Sequence, residues 1–161
     1  MNKIYEFSVR TLSGNEMTLE EFEGRVLLIV NTASKCGLAF QLKGLNHVYR
    51  QFRDRGFEVL AFPSDSFRGQ EFAERKQIEQ FCVLERGVSY PMFDRIAVKG
   101  PQAHPLFRYL ADRRKNGRMD APPVWNYHKY LIDRQGNLVS NFKPWIPANS
   151  WFVKSKIQKL L

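Results

Sequence analysis

The sequence predicts an α/β fold with a central mixed β-sheet, and three features support this. Two short apolar runs, at residues 25–31 and 57–62, have the length and composition of strands buried on both faces. Between them, residues 40–53 carry apolar side chains at intervals of three and four, as an amphipathic helix does. Near the C-terminus, a hairpin pattern at residues 129–142 precedes a helical pattern at residues 151–161. A βαβ unit is therefore followed by a ββα unit.

The N-terminal residues predict a separate β-hairpin. Strands at residues 5–9 and 17–19 flank a turn of Ser, Gly and Asn at residues 13–15, and these residue types tolerate positive φ. The apolar residues 26–30 follow without polar alternation, which indicates a central strand of the main sheet. Because a helix connects this strand to the strand at residues 57–62, the two strands should be parallel.

The elements between the two units have weaker patterns. We expect a helix at residues 71–84, a strand or loop at residues 90–96 and a helix at residues 104–114. Residues 115–123 are polar and contain proline, so we expect a surface connection without regular structure. The chain is short enough for all these elements to form one domain over residues 1–161.

A cysteine occupies the junction between the first central strand and the helix that follows it. Cys36 lies between Lys35 and Gly37 in a small polar turn, where oriented backbone N–H groups and a nearby cation favour a thiolate. A lysine beside a cysteine is more often simply solvated. The order of elements, with a cysteine at this junction, is the thioredoxin-like arrangement. Cys36 is therefore a candidate nucleophile or redox centre.

Composition limits the class of protein. The longest apolar run, VLLIV, is far shorter than the ~20 residues of a membrane-spanning helix, and residues 1–10 lack the apolar core of a secretory signal. The two cysteines are too few for a disulfide scaffold and lack the spacing of zinc ligands. These features predict a cytoplasmic protein without a metal site or bound cofactor.

The net charge of +9 is unevenly distributed. Residues 1–97 hold 13 basic and 13 acidic side chains, whereas residues 98–161 hold 12 and 3. Such an excess attracts nucleic acid, anionic lipid or an acidic protein, although a solvated basic surface is the more common explanation. No RNA-binding aromatic signature, zinc-finger spacing or Gly-rich phosphate loop accompanies it, so we expect no specific nucleic-acid partner.

Five motifs occur in an order that one protein family shares. They are VNTASKCG (30–37), FPSDSFRGQE (62–71), GVSYPMF (87–93), AHPLFRYL (103–110) and WNYHKYLIDRQG (125–136). Over nearly its whole length the chain closely resembles the glutathione peroxidases. The ordered set of motifs is far more specific than any one of them.

The resemblance implies a catalytic set of four residues. Cys36 is the expected peroxidatic residue, where many animal members have selenocysteine, and Gln70, Trp125 and Asn126 complete the family's tetrad. Their side-chain N–H groups are neutral donors, which suit a thiolate and the charge that develops on a departing peroxide oxygen. Taken singly, the tryptophan suits a core, the asparagine a turn and the glutamine an exposed loop. Their joint occurrence in family order favours a site.

The second cysteine, Cys82, has two interpretations. A free cysteine on a helix is commonly a small buried hydrophobic residue. In the thioredoxin-using branch of the family, however, a resolving cysteine occupies this position. In the implied cycle, a hydroperoxide oxidises Cys36 to a sulfenic acid, which condenses with Cys82 to a disulfide. An external dithiol then reduces the disulfide, and we expect thioredoxin in preference to glutathione. Because a disulfide needs Cα atoms within ~7 Å, we expect the Cys82 helix to unwind or swing after oxidation.

The sequence departs from the family at two places. FPSDSF stands where FPCNQF is usual, so Ser64 replaces a third cysteine, and Asp65 with Ser66 replaces an Asn-Gln pair. A carboxylate at position 65 would disfavour the catalytic thiolate if it pointed inward and would have no effect if solvated. Phe40 stands where proline is common, which predicts a different surface beside the site.

The expected substrates and partners follow from the resemblance. Tetrameric members carry an extra helical loop that the short span from Arg114 to Trp125 lacks, so we expect a monomer with an open site. Such a site would admit hydrogen peroxide and organic or lipid hydroperoxides, and the basic C-terminal part would favour weak contact with an anionic membrane surface. Two alternatives stay open: a peroxide sensor that relays its disulfide to a partner protein, and a basic binding module on a degenerate peroxidase scaffold.

Overall fold

The structure, a computed structural model, describes residues 4–161. Its N-terminal hairpin pairs β1 (Ser8–Arg10) with β2 (Glu16–Thr18) in antiparallel register, so the predicted hairpin is confirmed. The expected start of its first strand is wrong, because Ile4–Glu6 form a 3₁₀ turn. Tyr5 in this turn is buried and its hydroxyl donates to the backbone carbonyl of Arg134. This tertiary contact outweighs the strand preference of the segment.

A four-stranded mixed sheet forms the centre of the molecule. Its strands are β3 (Val26–Thr32), β4 (Phe57–Pro63), β5 (Lys129–Ile132) and β6 (Leu138–Phe142), in the spatial order β4-β3-β5-β6. β3 is parallel to β4 and antiparallel to β5, and β5 and β6 form the predicted hairpin. All seven residues of β3 are buried, which confirms the central strand predicted from its apolar run.

Helices cover both faces of the sheet. They are α1 (Gln41–Phe52), α2 (Arg75–Glu79), α3 (Pro105–Ala111), α4 (Arg113–Asn116) and α5 (Trp151–Leu160). α1 and α5 lie where the sequence predicts them, and α1 makes the parallel connection from β3 to β4. Within residues 4–161, every helix is too short or too polar to cross a membrane.

The segment predicted as one helix over residues 71–84 differs in its start and in its type. α2 begins only at Arg75, because the Glu71 carboxylate accepts the backbone N–H of Phe72 and so satisfies that donor outside a helix. From Gln80 to Glu85 the chain continues as a π-helix. Single π-helical turns are rare and occur frequently at functional sites.

The helix predicted over residues 104–114 is interrupted at Asp112. The backbone of Asp112 is extended, and its carboxylate caps α4 by accepting the N–H of Arg114. The irregular connection predicted at residues 115–123 therefore begins only after α4. Residues 90–96 are mostly irregular, with isolated bridges at Met92 and Phe93.

Side chains of β3 alternate between two apolar layers. Val26, Leu28 and Val30 pack in a layer with α1, α2 and α5, whereas Leu27 and Ile29 pack in a layer with α3 and the N-terminal hairpin. Both cysteines belong to the first layer. The order of elements around this sheet is the thioredoxin-like architecture that the sequence predicts.

Candidate active site

Cys36 lies in the loop between the end of β3 and the start of α1. We call residues 33–40 the cysteine loop. The Cys36 side chain is buried, and its sulfur accepts the backbone N–H of Leu38 at 3.3 Å. A backbone donor aimed at sulfur stabilises a thiolate. Because α1 begins five residues later, at Gln41, the donor belongs to the loop and not to the first turn of the helix.

Gln70 and Asn126 lie together although they are far apart in sequence. The side-chain amide of Asn126 donates through Nδ2 to Gln70 Oε1 at 3.0 Å, and Asn126 is completely buried. The backbone N–H of Lys35 donates to the Gln70 carbonyl oxygen at 2.8 Å. This chain of contacts connects the amide pair to the residue that precedes Cys36. The Lys35 ammonium lies 4.9 Å from the centre of the Phe72 ring.

The turn that carries Trp125 and Asn126 is attached to the end of β3. The Trp125 carbonyl oxygen accepts Asn31 Nδ2 at 3.1 Å, and the Asn31 carbonyl oxygen accepts the Tyr127 N–H at 2.6 Å. The Trp125 indole packs against Phe67, with 5.4 Å between ring centroids. The structure therefore places all four residues of the predicted tetrad around one end of β3.

Tyr127 is a residue of the site that the sequence reasoning missed. Its hydroxyl donates to the carbonyl of Ala33, the first residue of the cysteine loop, at 3.0 Å. Its φ of 70° lies in the left-handed region, which bulky side chains rarely adopt. Burial raises the pKa of Tyr127 well above its usual value, so the hydroxyl remains a donor. In the sequence, the position of Tyr127 directly after Trp125 and Asn126 is the feature that indicates a place in the site.

Cys82 faces the cysteine loop from the π-helical segment. Its sulfur lies 3.6 Å from Ser34 Oγ, and Ser34 is two residues before Cys36. Burial, as the largest cause, raises the pKa of the Cys82 thiol to about 11. Both cysteines are free thiols in this structure. Cys82 is almost completely inaccessible to solvent in this reduced state.

Glu71 is a second residue that the sequence reasoning missed. Its side chain is buried, its Oε2 accepts the Ser34 N–H at 3.2 Å and its Oε1 accepts the Phe72 N–H at 2.8 Å. Burial raises the pKa of this carboxyl. Its place directly after Gln70 in the sequence gave the only hint of its location.

The unusual FPSDSF stretch forms its own hydrogen-bonded turn. The Ser64 hydroxyl is buried and donates to Ser66 Oγ at 3.0 Å, and Ser66 Oγ also accepts the Val98 N–H at 3.0 Å. Asp65 forms an ion pair with Arg95. The carboxylate at position 65 thus pairs with Arg95 and remains about half exposed to solvent.

His128 links the residue before the turn of Trp125 and Asn126 to β6. Its Nδ1 accepts the Val124 N–H at 3.3 Å, its Nε2 lies 2.9 Å from Asn141 Oδ1, and its ring stacks on Tyr130. Because Asn141 Oδ1 accepts, Nε2 carries the proton and the imidazole is neutral. Burial is the main reason that the pKa of His128 falls from 6.5 to about 4.

This shift predicts a specific loss of stability in acid. Between pH 6.5 and 4 the unfolded chain binds a proton at His128 that the folded chain does not, so the stabilising contribution is present above pH 6.5 and is lost as the pH falls through this window. The free energy of unfolding can be measured with denaturant at about pH 7 and at pH 5 for the wild type and for His128→Gln. We expect it to fall by about 2 kcal/mol less in His128→Gln than in the wild type between these two pH values. Equal losses in both proteins would contradict the assignment of this titration to His128.

A thioredoxin-like fold with a nearly buried cysteine at the end of its first central strand defines a class of cysteine-based oxidoreductases. Within residues 4–161, no cluster of three or more His, Cys, Asp or Glu side chains is arranged to hold a metal ion. Comparison with known proteins narrows the class. A family model described as glutathione peroxidase matches residues 4–111.

Relatives match over almost the whole chain. The glutathione peroxidase homolog BsaA of Bacillus subtilis is 44% identical over 158 residues, covering 98% of each chain. The hydroperoxy fatty acid reductase gpx1 of Synechocystis is 44% identical over 148 residues, covering 88% of this chain and 86% of the relative. The solved apo structure of Trgpx aligns with a TM-score of 0.77 at 30% identity, covering 99% and 95% of the two chains. The chain belongs to the glutathione peroxidase family, and it is a peroxidase.

Proposed function

We propose that this protein is a thiol peroxidase that reduces hydrogen peroxide and organic or lipid hydroperoxides through Cys36. Two observations around the cysteine loop carry the proposal. The Leu38 N–H donates to the Cys36 sulfur, and the Asn126–Gln70 amide pair is held beside the loop because the Gln70 backbone carbonyl accepts the Lys35 N–H. These groups are neutral, so they stabilise negative charge without a titration of their own.

The first chemical step takes place at sulfur. The Cys36 thiolate attacks one oxygen of the hydroperoxide, the O–O bond breaks, and Cys36 becomes a sulfenic acid. The departing oxygen gains negative charge and a proton and leaves as water or an alcohol. Trp125 Nε1–H and the side-chain amides of Gln70 and Asn126 donate to this developing charge in our proposal. Because the turn of Trp125 and Asn126 is fixed to β3, the donors require little reorganisation.

The second step uses Cys82. Its thiol condenses with the Cys36 sulfenic acid, an S–S bond replaces the S–O bond, and water leaves. The Cys82 sulfur lies against Ser34, two residues before Cys36, and a rearrangement of the π-helical segment would bring the two sulfurs together. The short α2 and its π-helical continuation are the segment that would unwind. An external dithiol of the thioredoxin type then reopens the disulfide, with glutathione as the alternative reductant.

Exposed aromatic residues beside the cysteine loop favour large, apolar hydroperoxides. Phe40, at the end of the loop, is 62% exposed, and Trp145 is 66% exposed. The two lie on adjoining segments, because Gln41 Nε2 donates to the Pro144 carbonyl oxygen at 2.7 Å. Exposed aromatic rings, tryptophan above all, and basic side chains are typical of surfaces that rest on anionic membranes. We propose that a cytoplasmic monomer, one domain over residues 1–161, uses this surface for weak membrane contact.

One steady-state assay tests these substrates and reductants together. We expect hydrogen peroxide, a soluble organic hydroperoxide and a lipid hydroperoxide in anionic vesicles all to be consumed with thioredoxin, and more slowly with glutathione. Raising the salt concentration should slow only the vesicle reaction, because screening weakens the attraction of basic side chains to anionic lipid. No turnover with either reductant would overturn the peroxidase cycle. A single oxidation followed by disulfide transfer to another protein would instead favour the relay.

A further inference from the structure

A buried carboxylate lies between the cysteine loop and the segment that carries Cys82. Glu71 accepts two backbone N–H groups, from Ser34 and from Phe72. The Ser34 side chain acts on the same carboxyl, because hydrogen bonding from Ser34 lowers the pKa of Glu71 against the larger effect of burial. The oxidation of Cys36 by peroxide, as proposed above, makes no use of this acid.

The same Ser34 hydroxyl contacts the second cysteine. Ser34 Oγ lies 3.6 Å from Cys82 Sγ, which is within hydrogen-bonding distance for sulfur. A hydroxyl accepts and donates at the same time. Ser34 therefore lies between the Cys82 thiol, which its hydroxyl contacts, and the Glu71 carboxyl, which its backbone N–H contacts, and all three side chains are buried.

Condensation needs a base for the Cys82 proton. The thiolate is the nucleophile in disulfide formation, and the pKa of the Cys82 thiol is raised to about 11, chiefly by burial. Near neutral pH the thiol is almost wholly protonated, so its attack requires proton removal. A general base has to reach that proton directly or through one hydrogen-bonded group.

The other polar groups near Cys82 and Glu71 do not accept the Cys82 proton. Arg86 lowers the pKa of Cys82 by its charge but accepts no proton, and Arg95 acts in the same way on Glu71. The buried hydroxyls of Tyr90 and Tyr127 remain protonated, because burial raises their pKa values well above the usual value.

We propose that Ser34 and Glu71 form a proton relay that activates Cys82 for disulfide formation. This inference rests on the proposed function. As Cys82 attacks the sulfenic sulfur of Cys36, its proton passes to Ser34 Oγ, and the Ser34 hydroxyl proton passes to the Glu71 carboxylate. The S–S bond forms while the S–O bond breaks, so the Cys82 sulfur is oxidised and the Cys36 sulfur is reduced. The departing hydroxide takes up the relayed proton and leaves as water, which returns Glu71 to its carboxylate form.

The position of Ser34 suits this role. It lies on the same loop as Cys36, so it stays beside the reacting sulfurs when Cys82 approaches. Ser34 contacts a reacting atom and is a catalytic residue of this step, whereas Glu71 acts through Ser34 and is a positioning residue. The relay needs ionised Glu71, so disulfide formation should slow in acid. Because burial raises the pKa of Glu71, this slowing should occur at a higher pH than the titration of an ordinary carboxyl.

The test is a single turnover with one equivalent of hydrogen peroxide, followed by rapid quenching and mass spectrometry of the Cys36 sulfenic acid and of the disulfide. We expect Glu71→Gln and Ser34→Ala to form the disulfide about 100-fold more slowly than the wild type. The Glu71→Gln protein should also lose the acid dependence of the rate. Ser34→Thr, which keeps the hydroxyl, should recover most of the wild-type rate of disulfide formation. The matched control is Glu85→Gln, which removes an exposed carboxylate from the π-helical segment that carries Cys82. This variant should behave as the wild type.

Two results would overturn the relay in different ways. If the variants form the disulfide at the wild-type rate or faster, with the wild-type acid dependence, the relay is wrong while the proposed cycle stands. If the wild type itself forms no disulfide between Cys36 and Cys82, the proposed cycle is wrong and the relay fails with it. Thermal unfolding of each variant shows that the comparison is between folded proteins.

Discussion

Cys36→Ser should abolish hydroperoxide turnover, lowering kcat/KM by ~10³-fold or more. A serine hydroxyl is almost never ionised near neutral pH, so the substitution removes the nucleophile while preserving the shape of a nearly buried side chain. We expect little change in thermal stability, because oxygen replaces sulfur at one position and the apolar layer around it is otherwise intact. The measurement is the steady-state rate of peroxide consumption with thioredoxin.

A stoichiometric experiment separates loss of chemistry from loss of recycling. Without any reductant, the wild type should consume one equivalent of peroxide and Cys36→Ser none. Cys82→Ser is the matched control, because it makes the same change at the other buried cysteine and should still consume the first equivalent. Consumption by the Cys36→Ser protein at the wild-type rate would show that another group is the nucleophile.

Cys82→Ser should stop the cycle after the first oxidation. Without a resolving thiol the Cys36 sulfenic acid accumulates, and excess peroxide carries it on to sulfinic acid, which the thiol pool does not reverse. We therefore expect steady-state turnover with thioredoxin to fall by ~10²-fold or more while the first oxidation persists. Mass spectrometry of the protein after one and after several equivalents of peroxide distinguishes these products.

The reductant determines how this variant is interpreted. Thioredoxin reopens an internal disulfide, so its advantage over glutathione should disappear in Cys82→Ser. Residual turnover with glutathione would mean that a small thiol attacks the sulfenic acid directly. Undiminished turnover of the variant with thioredoxin would contradict a resolving role for Cys82.

The main sheet could be predicted because its signals are local. The unalternating apolar run of β3 is explained by the two layers that it contacts, and α1 was recognised from its apolar stripe alone. The hairpin pattern at residues 129–142 likewise predicted the β5–β6 hairpin. In each case the pattern within one segment was enough to define the element.

The predicted elements that were wrong depend on particular side-chain hydrogen bonds. Tyr5 leaves its predicted strand because its hydroxyl reaches Arg134, and α2 starts late because the Glu71 carboxylate turns back to bind the Phe72 N–H. The break at Asp112 depends on a cap whose strength a helical pattern does not reveal. Periodicity carries no information about such hydrogen bonds.

The site was predicted in part. The family motifs identified Gln70, Trp125 and Asn126, which the structure brings to one end of β3. Ser34 and Glu71 were missed because a serine in a loop and a glutamate after a glutamine are typical of exposed surface. Their role depends on the tertiary structure, which buries both side chains, places the Ser34 hydroxyl against Cys82 and bonds Glu71 to the Ser34 backbone.

The central claim is that hydroperoxide oxidises the sulfur of Cys36. The most direct measurement treats Cys82→Ser with one equivalent of hydroperoxide in the presence of a reagent that labels sulfenic acids, and locates the label by peptide mass spectrometry. The label is expected on the peptide that contains Cys36, in an amount equal to the peroxide consumed. Consumption of peroxide with Cys36 unlabelled and still a free thiol would contradict the account.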